Sequence, residues 1–236
     1  MINLLIVIFG ISMLYMATSS RIAAQTNMLR LQGIILCFIT IISHIHELDT
    51  SSIWAAITSL FTHIDTLVGA AFLIVETFVV KALIIPNVLD RVAEKSNIKR
   101  DNNPQFPNFY TLVISTIILF AGFMIASSQA DILQNISSLY FGVSVSTIIT
   151  AFVFIAIKKK LLTHVIGFAM LENGIFLLSL SIAKEMPLIV NLGVLLDVFI
   201  AVFILGLLIG EIGNIYGNPD VSQLCNLKDS EMAKDE

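Results

Sequence analysis

Seven long apolar stretches divide this chain, at residues 2–19, 22–43, 64–86, 109–128, 138–157, 161–183 and 188–211. Each approaches or exceeds the ~20 residues that an α-helix needs to cross a bilayer. Hydrocarbon offers no water to backbone N–H and C=O groups, so a spanning segment must bond internally. The runs are too long and too uniformly apolar for barrel strands. The expectation is an all-α, polytopic membrane helix bundle of about seven transmembrane helices. Only 13% of the 236 residues are charged, against roughly 25% in soluble domains, too few to coat a soluble globule. Prolines mark the edges: Pro86 is expected to end the third span, Pro104 and Pro107 precede the fourth, and Pro187 precedes the seventh, where a missing N–H does no harm.

Orientation follows from Lys and Arg. The first turn carries Arg21, residues 87–108 carry Arg91, Lys95, Lys99 and Arg100, the turn after the fifth span is Lys158, Lys159 and Lys160, and the tail has Lys228 and Lys234. The opposite side has only Lys184. The positive-inside rule places the N-terminus outside and the C-terminus in the cytoplasm. No basic residue precedes the first apolar core, so that segment is read as a retained helix rather than a secretory signal.

The chain then divides into an N-terminal four-helix membrane region (1–136), a three-helix region (137–212) and a polar cytoplasmic tail (213–236). Within the first, residues 51–63 place Ile53, Trp54, Ile57, Leu60 and Phe61 on one helical face. That is an interfacial amphipathic helix or an extension of the third span. Leu31-Gln32-Gly33-Ile34 in the second span echoes Leu171-Glu172-Asn173-Gly174-Ile175 in the sixth. Such an echo is read either as two three-helix repeats in the same orientation, with the fourth span as linker, or as a short apolar similarity of the kind that arises easily between membrane helices.

Five charged residues lie well away from the ends of apolar stretches: Glu172, Asp197, Lys81, Glu76 and Arg30. A charge at the bilayer centre costs ~2.5–3.5 kcal/mol on insertion scales, so such residues usually serve a function. Glu172 is near the middle of the sixth span and Asp197 at similar depth in the seventh. Carboxyl groups in low dielectric resist ionisation and can take and release a proton. The two are read as relay stations, or alternatively as protonated acids hydrogen-bonding neighbouring helices. Lys81 stands five residues before Pro86. It either snorkels to the cytoplasmic interface or belongs to a lateral charge relay. Glu76 is deeper. Arg30 reaches the interface or pairs with an acid of another helix, Glu76 being the candidate. His164, at the start of the sixth span, suits a proton uptake point or a solvated interfacial histidine.

Other chemistries find no support. Cys37 and Cys225 are the only cysteines, which argues against a disulfide framework, an iron–sulfur cluster or a Cys-rich zinc site. His44, His46, Glu47, Asp49 and His63 lack metalloprotease spacing and are read as solvated. No phosphate-binding loop, dinucleotide fingerprint or nucleophile elbow is present. No basic run interleaved with aromatics points to nucleic acid.

Residues 137–213 resemble the K subunit of bacterial complex I and the C subunit of multi-subunit cation/proton antiporters. The resemblance rests on the basic turn 158–160, on Gly167-Phe-Ala-Met-Leu-Glu172-Asn-Gly-Ile and on the acid at Asp197. In that family each of the two helices carries a glutamate on the lateral proton path. Glu172 matches the first; Asp197 matches the second, one methylene shorter. The whole chain resembles membrane component E of hydrogenase-4 and formate hydrogenlyase-type complexes, through His164-Val-Ile-Gly-Phe-Ala-Met-Leu-Glu-Asn-Gly-Ile-Phe-Leu and Pro187-Leu-Ile-Val-Asn-Leu-Gly-Val-Leu-Leu-Asp197. This resemblance implies a non-catalytic, multi-pass subunit of a respiratory complex in a prokaryotic cytoplasmic (inner) membrane. Its neighbours would be a quinone-site-type subunit, antiporter-like subunits and soluble hydrogenase or iron–sulfur subunits. Nickel–iron and iron–sulfur centres would lie only in those partners, with no cofactor in this chain. A subunit of a cation/proton antiporter and a structural membrane anchor are the alternatives.

Overall fold

The computed structural model describes residues 2–47, 74–75, 77–95, 107–128 and 138–182. Within them the backbone is almost entirely helical, as apolar runs in hydrocarbon require. The helices are α1 (Ile2–Thr18), α2 (Ile22–Glu47), a π-helix (Thr77–Ile84) continuing into α3 (Ile85–Lys95), α4 (Asn108–Ser128), α5 (Ser138–Ile157) and α6 (Leu161–Ile182). Four of them hold windows long and apolar enough to cross a membrane: Ile22–Ser43, Asn108–Ser128, Leu139–Ile157 and Leu161–Ser181. α1 is apolar but shorter, with 17 residues. Residues 51–63, the seventh predicted span and the polar tail lie outside the described residues.

The third predicted span departs from expectation. The helix does not stop at Pro86 but runs on to Lys95. Proline has no N–H to donate, and in an α-helix its ring would press on the carbonyl four residues back, here that of Ala82. The wider π turns immediately before Pro86 are a known way of taking such a break within a continuous helix. α3 is amphipathic beyond it: Leu89 is buried, while Asn87, Arg91 and Glu94 are exposed.

α1 packs against α2, α4 and α5; α2 packs against the π-helix, α3 and α6; α5 packs against α4 and α6. Two apolar clusters fill the bundle. Towards the end formed by the α1–α2 and α5–α6 turns lie Met13, Leu29, Leu89, Phe154, Ile166 and Met170. Towards the other end lie Ile6, Phe9, Leu36, Val143 and Leu177. Leu4, Ile11, Ile117, Phe120 and Met124 are exposed on the outside, as lipid-facing side chains are. Hydrocarbon contact, not water, makes such a surface stable.

One close approach decides where the π-helix sits. A Cβ on Gly33 of α2 would lie 2.7 Å from the Ala82 nitrogen and 2.8 Å from the Lys81 carbonyl carbon, both backbone atoms. Only glycine lets the two backbones meet there. Gly33→Ala is expected to destabilise the protein by about 1–3 kcal/mol, the usual cost of overpacking. At Gly10 a Cβ would meet only Val143 side-chain atoms, at 3.7 and 3.8 Å. Gly10→Ala should therefore be neutral or gain up to ~1 kcal/mol of helix propensity. Unfolding of the two variants in detergent micelles checks the contrast.

Candidate functional site

Between the two apolar clusters runs a layer of polar side chains. On α6 the clusters end at Leu171 and resume at Phe176; on α2 they end at Leu29 and resume at Ile35. Glu172 and Asn173 fill the first gap and Gln32 fills the second. Lys81 enters the same layer from the π-helix. Ser12, Ser144 and Thr147 are also buried in it, their hydroxyls donating to carbonyls of their own helices at 2.7–2.8 Å. Those three therefore spend their donors locally, and the unusual chemistry falls to the other four residues.

Lys81 Nζ forms a salt bridge with Glu172 Oε1, with the two side chains only 1% and 6% exposed. The ammonium also lies 4.1 Å from the centre of the Phe176 ring, whose face attracts cations. Next to it, Asn173 Nδ2 donates to Gln32 Oε1 at 3.1 Å. This amide pair joins α2 to α6 where the ion pair joins the π-helix to α6. The two echoing sequence phrases thus face each other across the α2–α6 contact. Two polar atoms of the layer, Glu172 Oε2 and Gln32 Nε2, have no hydrogen-bond partner among the described residues. Oε2 of Glu172 is thus engaged neither by Lys81 nor by any other described residue.

Lys81 does not snorkel. Its expected closeness to the interface assumed that the helix ends at Pro86; with α3 continuing to Lys95, the polar end moves to Asp90 and Arg91, and Lys81 becomes central. Arg30 does pair with an acid of another helix, Asp90; the expected partner Glu76 lies outside the described residues. Arg30 Nη2 is 2.9 Å from Asp90 Oδ2, and the guanidinium also donates to Asn27 Oδ1 at 2.7 Å and Asn87 Oδ1 at 3.0 Å. Thr26 Oγ1 donates to Asp90 Oδ1 at 2.6 Å. Both members of this pair are about a third exposed, so it ties α2 to α3 at the bundle end with modest energy. His164 is half-buried one turn into α6, its Nδ1 2.9 Å from the Lys160 carbonyl oxygen. Ile166, Ala169 and Met170 of the apolar cluster separate it from Glu172. Glu76 and Asp197 lie outside the described residues, as do Asp49, His63 and the side chains of His44, His46 and Glu47. Among the described residues no three metal-ligating side chains converge.

Sequence reasoning missed the Lys81–Glu172 pairing and the role of Gln32. The available signal was charge balance: an acid and a base both deep in apolar helices are cheapest when joined. The fold and this layer define a polytopic α-helical membrane protein with a charge pair sealed inside its bundle. Over 157 residues the chain is 31% identical to the uncharacterized protein Rv0085 of Mycobacterium tuberculosis, an alignment covering 63% of this chain and 68% of that protein. The chain belongs to the family of that mycobacterial protein. It is also similar to hydrogenase-4 component E of Escherichia coli K12 and of Shigella flexneri, at 24% identity over 178 residues, 75% of this chain and 80% of each relative. No family model matches the chain, and no solved structure matches it.

Removing one member of a buried pair leaves the other without compensation, at about 3–5 kcal/mol, whereas removing both costs less. Lys81→Met is expected to lose that much stability, and Lys81→Met with Glu172→Leu to recover a large part of it. A double-mutant cycle of unfolding free energies in micelles measures the coupling; additive effects would mean that the pair contributes nothing.

Proposed function

We propose that the chain is a membrane subunit of a hydrogenase-type, complex I-related assembly in a prokaryotic cytoplasmic membrane, where it passes protons laterally between neighbouring subunits. The observation that carries this reading is the buried Lys81–Glu172 pair in a layer closed above and below by apolar clusters. An apolar plug on either side disfavours proton movement straight through the chain along the membrane normal. A route in the plane of the membrane, through the polar layer, suits this packing better.

The mechanism follows from the pair's electrostatics. In low dielectric an added charge is felt strongly over several ångströms. A proton arriving at Glu172 neutralises the carboxylate and loosens its hold on Lys81. The ammonium is then free to turn towards another acid, or to give up its own proton. Asn173 and Gln32 hold α6 and α2 in register so that Glu172 keeps its orientation. Asp197 is proposed as the next carboxylate and Glu76 as a further acid on the segment of Lys81, with Arg30 and His164 nearer the cytoplasmic end. Seven spans with the N-terminus outside would bring the basic turns to that end. Similarity to hydrogenase-4 component E, and the resemblance of residues 137–213 to the complex I K subunit, support the assignment. The same similarity supports antiporter-like and quinone-site-type neighbours, with redox centres confined to soluble subunits.

The test is proton movement coupled to electron transfer in membrane vesicles holding the assembled complex. Glu172→Gln and Lys81→Met are each expected to reduce coupled proton uptake at least tenfold, the smallest effect typical of a lost proton-transfer group being larger still, with subunit composition unchanged. Full coupling in both assembled variants would make the pair a packing device and overturn the relay.

A further inference from the structure

The helix that carries Lys81 is interrupted close to the residue it must hold in place. Pro86 lies two residues past the π-helix. It donates no backbone hydrogen bond, so the turns before and after it are joined by one bond fewer than in an unbroken helix. Lys81 must nevertheless keep its ammonium on Glu172 and 4.1 Å from the centre of the Phe176 ring. Any rotation of the backbone is carried outward along its flexible four-carbon stem.

Two contacts with α2 bracket this segment. At Gly33 the α2 backbone meets that of Lys81 and Ala82. About one turn earlier on α2, Arg30 reaches α3 just past the proline. Its Nη2 donates to Asn87 Oδ1 at 3.0 Å and to Asp90 Oδ2 at 2.9 Å, and its Nη1 donates to Asn27 Oδ1 of its own helix at 2.7 Å. Thr26 Oγ1 donates to the other Asp90 oxygen at 2.6 Å. Asn87 immediately follows Pro86, and Asp90 stands three residues further. One guanidinium therefore spans the first turn beyond the break. The close approach at Gly33 fixes a separation but leaves rotation about that point free. A second attachment one turn away removes that freedom.

The network is larger than its energy explains. Arg30 and Asp90 are each about a third exposed, and such pairs contribute little to stability. Yet both carboxylate oxygens of Asp90 accept bonds from α2, and Asn27 orients the guanidinium. What the arrangement fixes is geometry. Support of this kind decides whether a functional group sits where its chemistry needs it.

We propose that Arg30 is a positioning residue for the buried charge pair. It splints the helix across Pro86 and so holds Lys81 at the rotation and depth at which its ammonium meets Glu172. The consequence for transport rests on the proposed relay, in which Arg30 then acts through Lys81 and not as a station for protons. The planar guanidinium matters: it holds three acceptors at fixed angles, which the compact ammonium of a lysine does not reproduce.

The test is made on the full chain in lipid bilayers. Solid-state NMR reads the dipolar coupling between the Lys81 ammonium nitrogen and the Glu172 carboxyl carbon. The coupling is expected in the wild type, and its absence there overturns the proposal. Arg30→Met is expected to abolish it and R30K not to restore it. Glu94→Gln, at an exposed acid further along α3, should leave it unchanged. Full coupling in Arg30→Met, its recovery in R30K, or equal loss in Glu94→Gln overturns the splint. Should Arg30→Met not fold, Asn87→Ala decides, because it keeps the Arg30–Asp90 pair and removes only the bond next to the break. Weakened coupling there upholds the splint, and full coupling overturns it. Proton uptake by the assembled complex is the second readout. In Arg30→Met it is expected to fall about a hundredfold, the cost that a ~1 Å misplacement can carry. Lost NMR coupling with undiminished uptake in both Arg30→Met and Glu172→Gln would overturn the relay and leave the splint standing. Uptake lost in Glu172→Gln alone would mean that Arg30 holds the pair without serving transport, and the positioning role falls.

Discussion

An ammonium and a carboxylate held together away from water are the constraint around which this bundle is arranged. Lys81 and Glu172 are almost wholly buried, and in apolar surroundings neither is tolerable alone. The neighbouring features follow from keeping them together. The π-helix carries Lys81 to the layer of Glu172, and Gly33 lets its backbone come close enough to α2. Phe176 offers the ammonium a second favourable surface. The Asn173–Gln32 bond fixes the third helix of the group. A well-satisfied pair of this kind is weak evidence for stability in itself, because desolvation offsets much of its attraction. The proposed relay would give that cost a purpose, through a movable proton and a movable ammonium.

The distribution of apolar residues complements that pair. One cluster runs from Met13 to Met170 on one side of the polar layer, and another from Ile6 to Leu177 on the other. A charge in such a layer has an apolar barrier towards either membrane face. It is coupled instead to whatever lies beside it in the membrane plane. The exposed apolar faces of α1 and α4 suit lipid or the apolar surfaces of other membrane subunits. At the basic end, Lys158 Nζ lies 3.4 Å from the Ser19 carbonyl oxygen and joins the α5–α6 turn to the α1–α2 turn.

Much of this was legible in the residues alone. Apolar runs near the length of a membrane crossing can only be helices, so the class of fold and the positions of α2, α4, α5 and α6 followed from hydropathy. Glu172 stood out because a carboxylate in the middle of such a run is expensive. The partner of Glu172 did not stand out, because depth was judged from Pro86. That judgement assumed a proline ends a helix; a π turn placed just before it let the helix continue to Lys95. Asp90 was overlooked as a partner of Arg30 for the same reason. With the helix thought to end at Pro86, Asp90 was read as part of a loop and Glu76 became the nearest acid to consider. Gln32 was noticed only as part of a repeat, since an amide in an apolar helix does not reveal which helix it faces.

The sequence by itself determined that this chain is a helical membrane protein, which side of its helices is crowded with basic turns, and that Glu172 lies deep. Local periodicity and the absence of water in hydrocarbon decide those properties, and both are properties of short segments. Only the tertiary structure decided that Lys81 meets Glu172, that Asn173 meets Gln32, and that Lys158 reaches the Ser19 carbonyl oxygen. Each of those contacts joins residues far apart in the chain, and each depends on the relative rotation and depth of two helices. Packing sets that rotation, through contacts as small as the missing Cβ of Gly33.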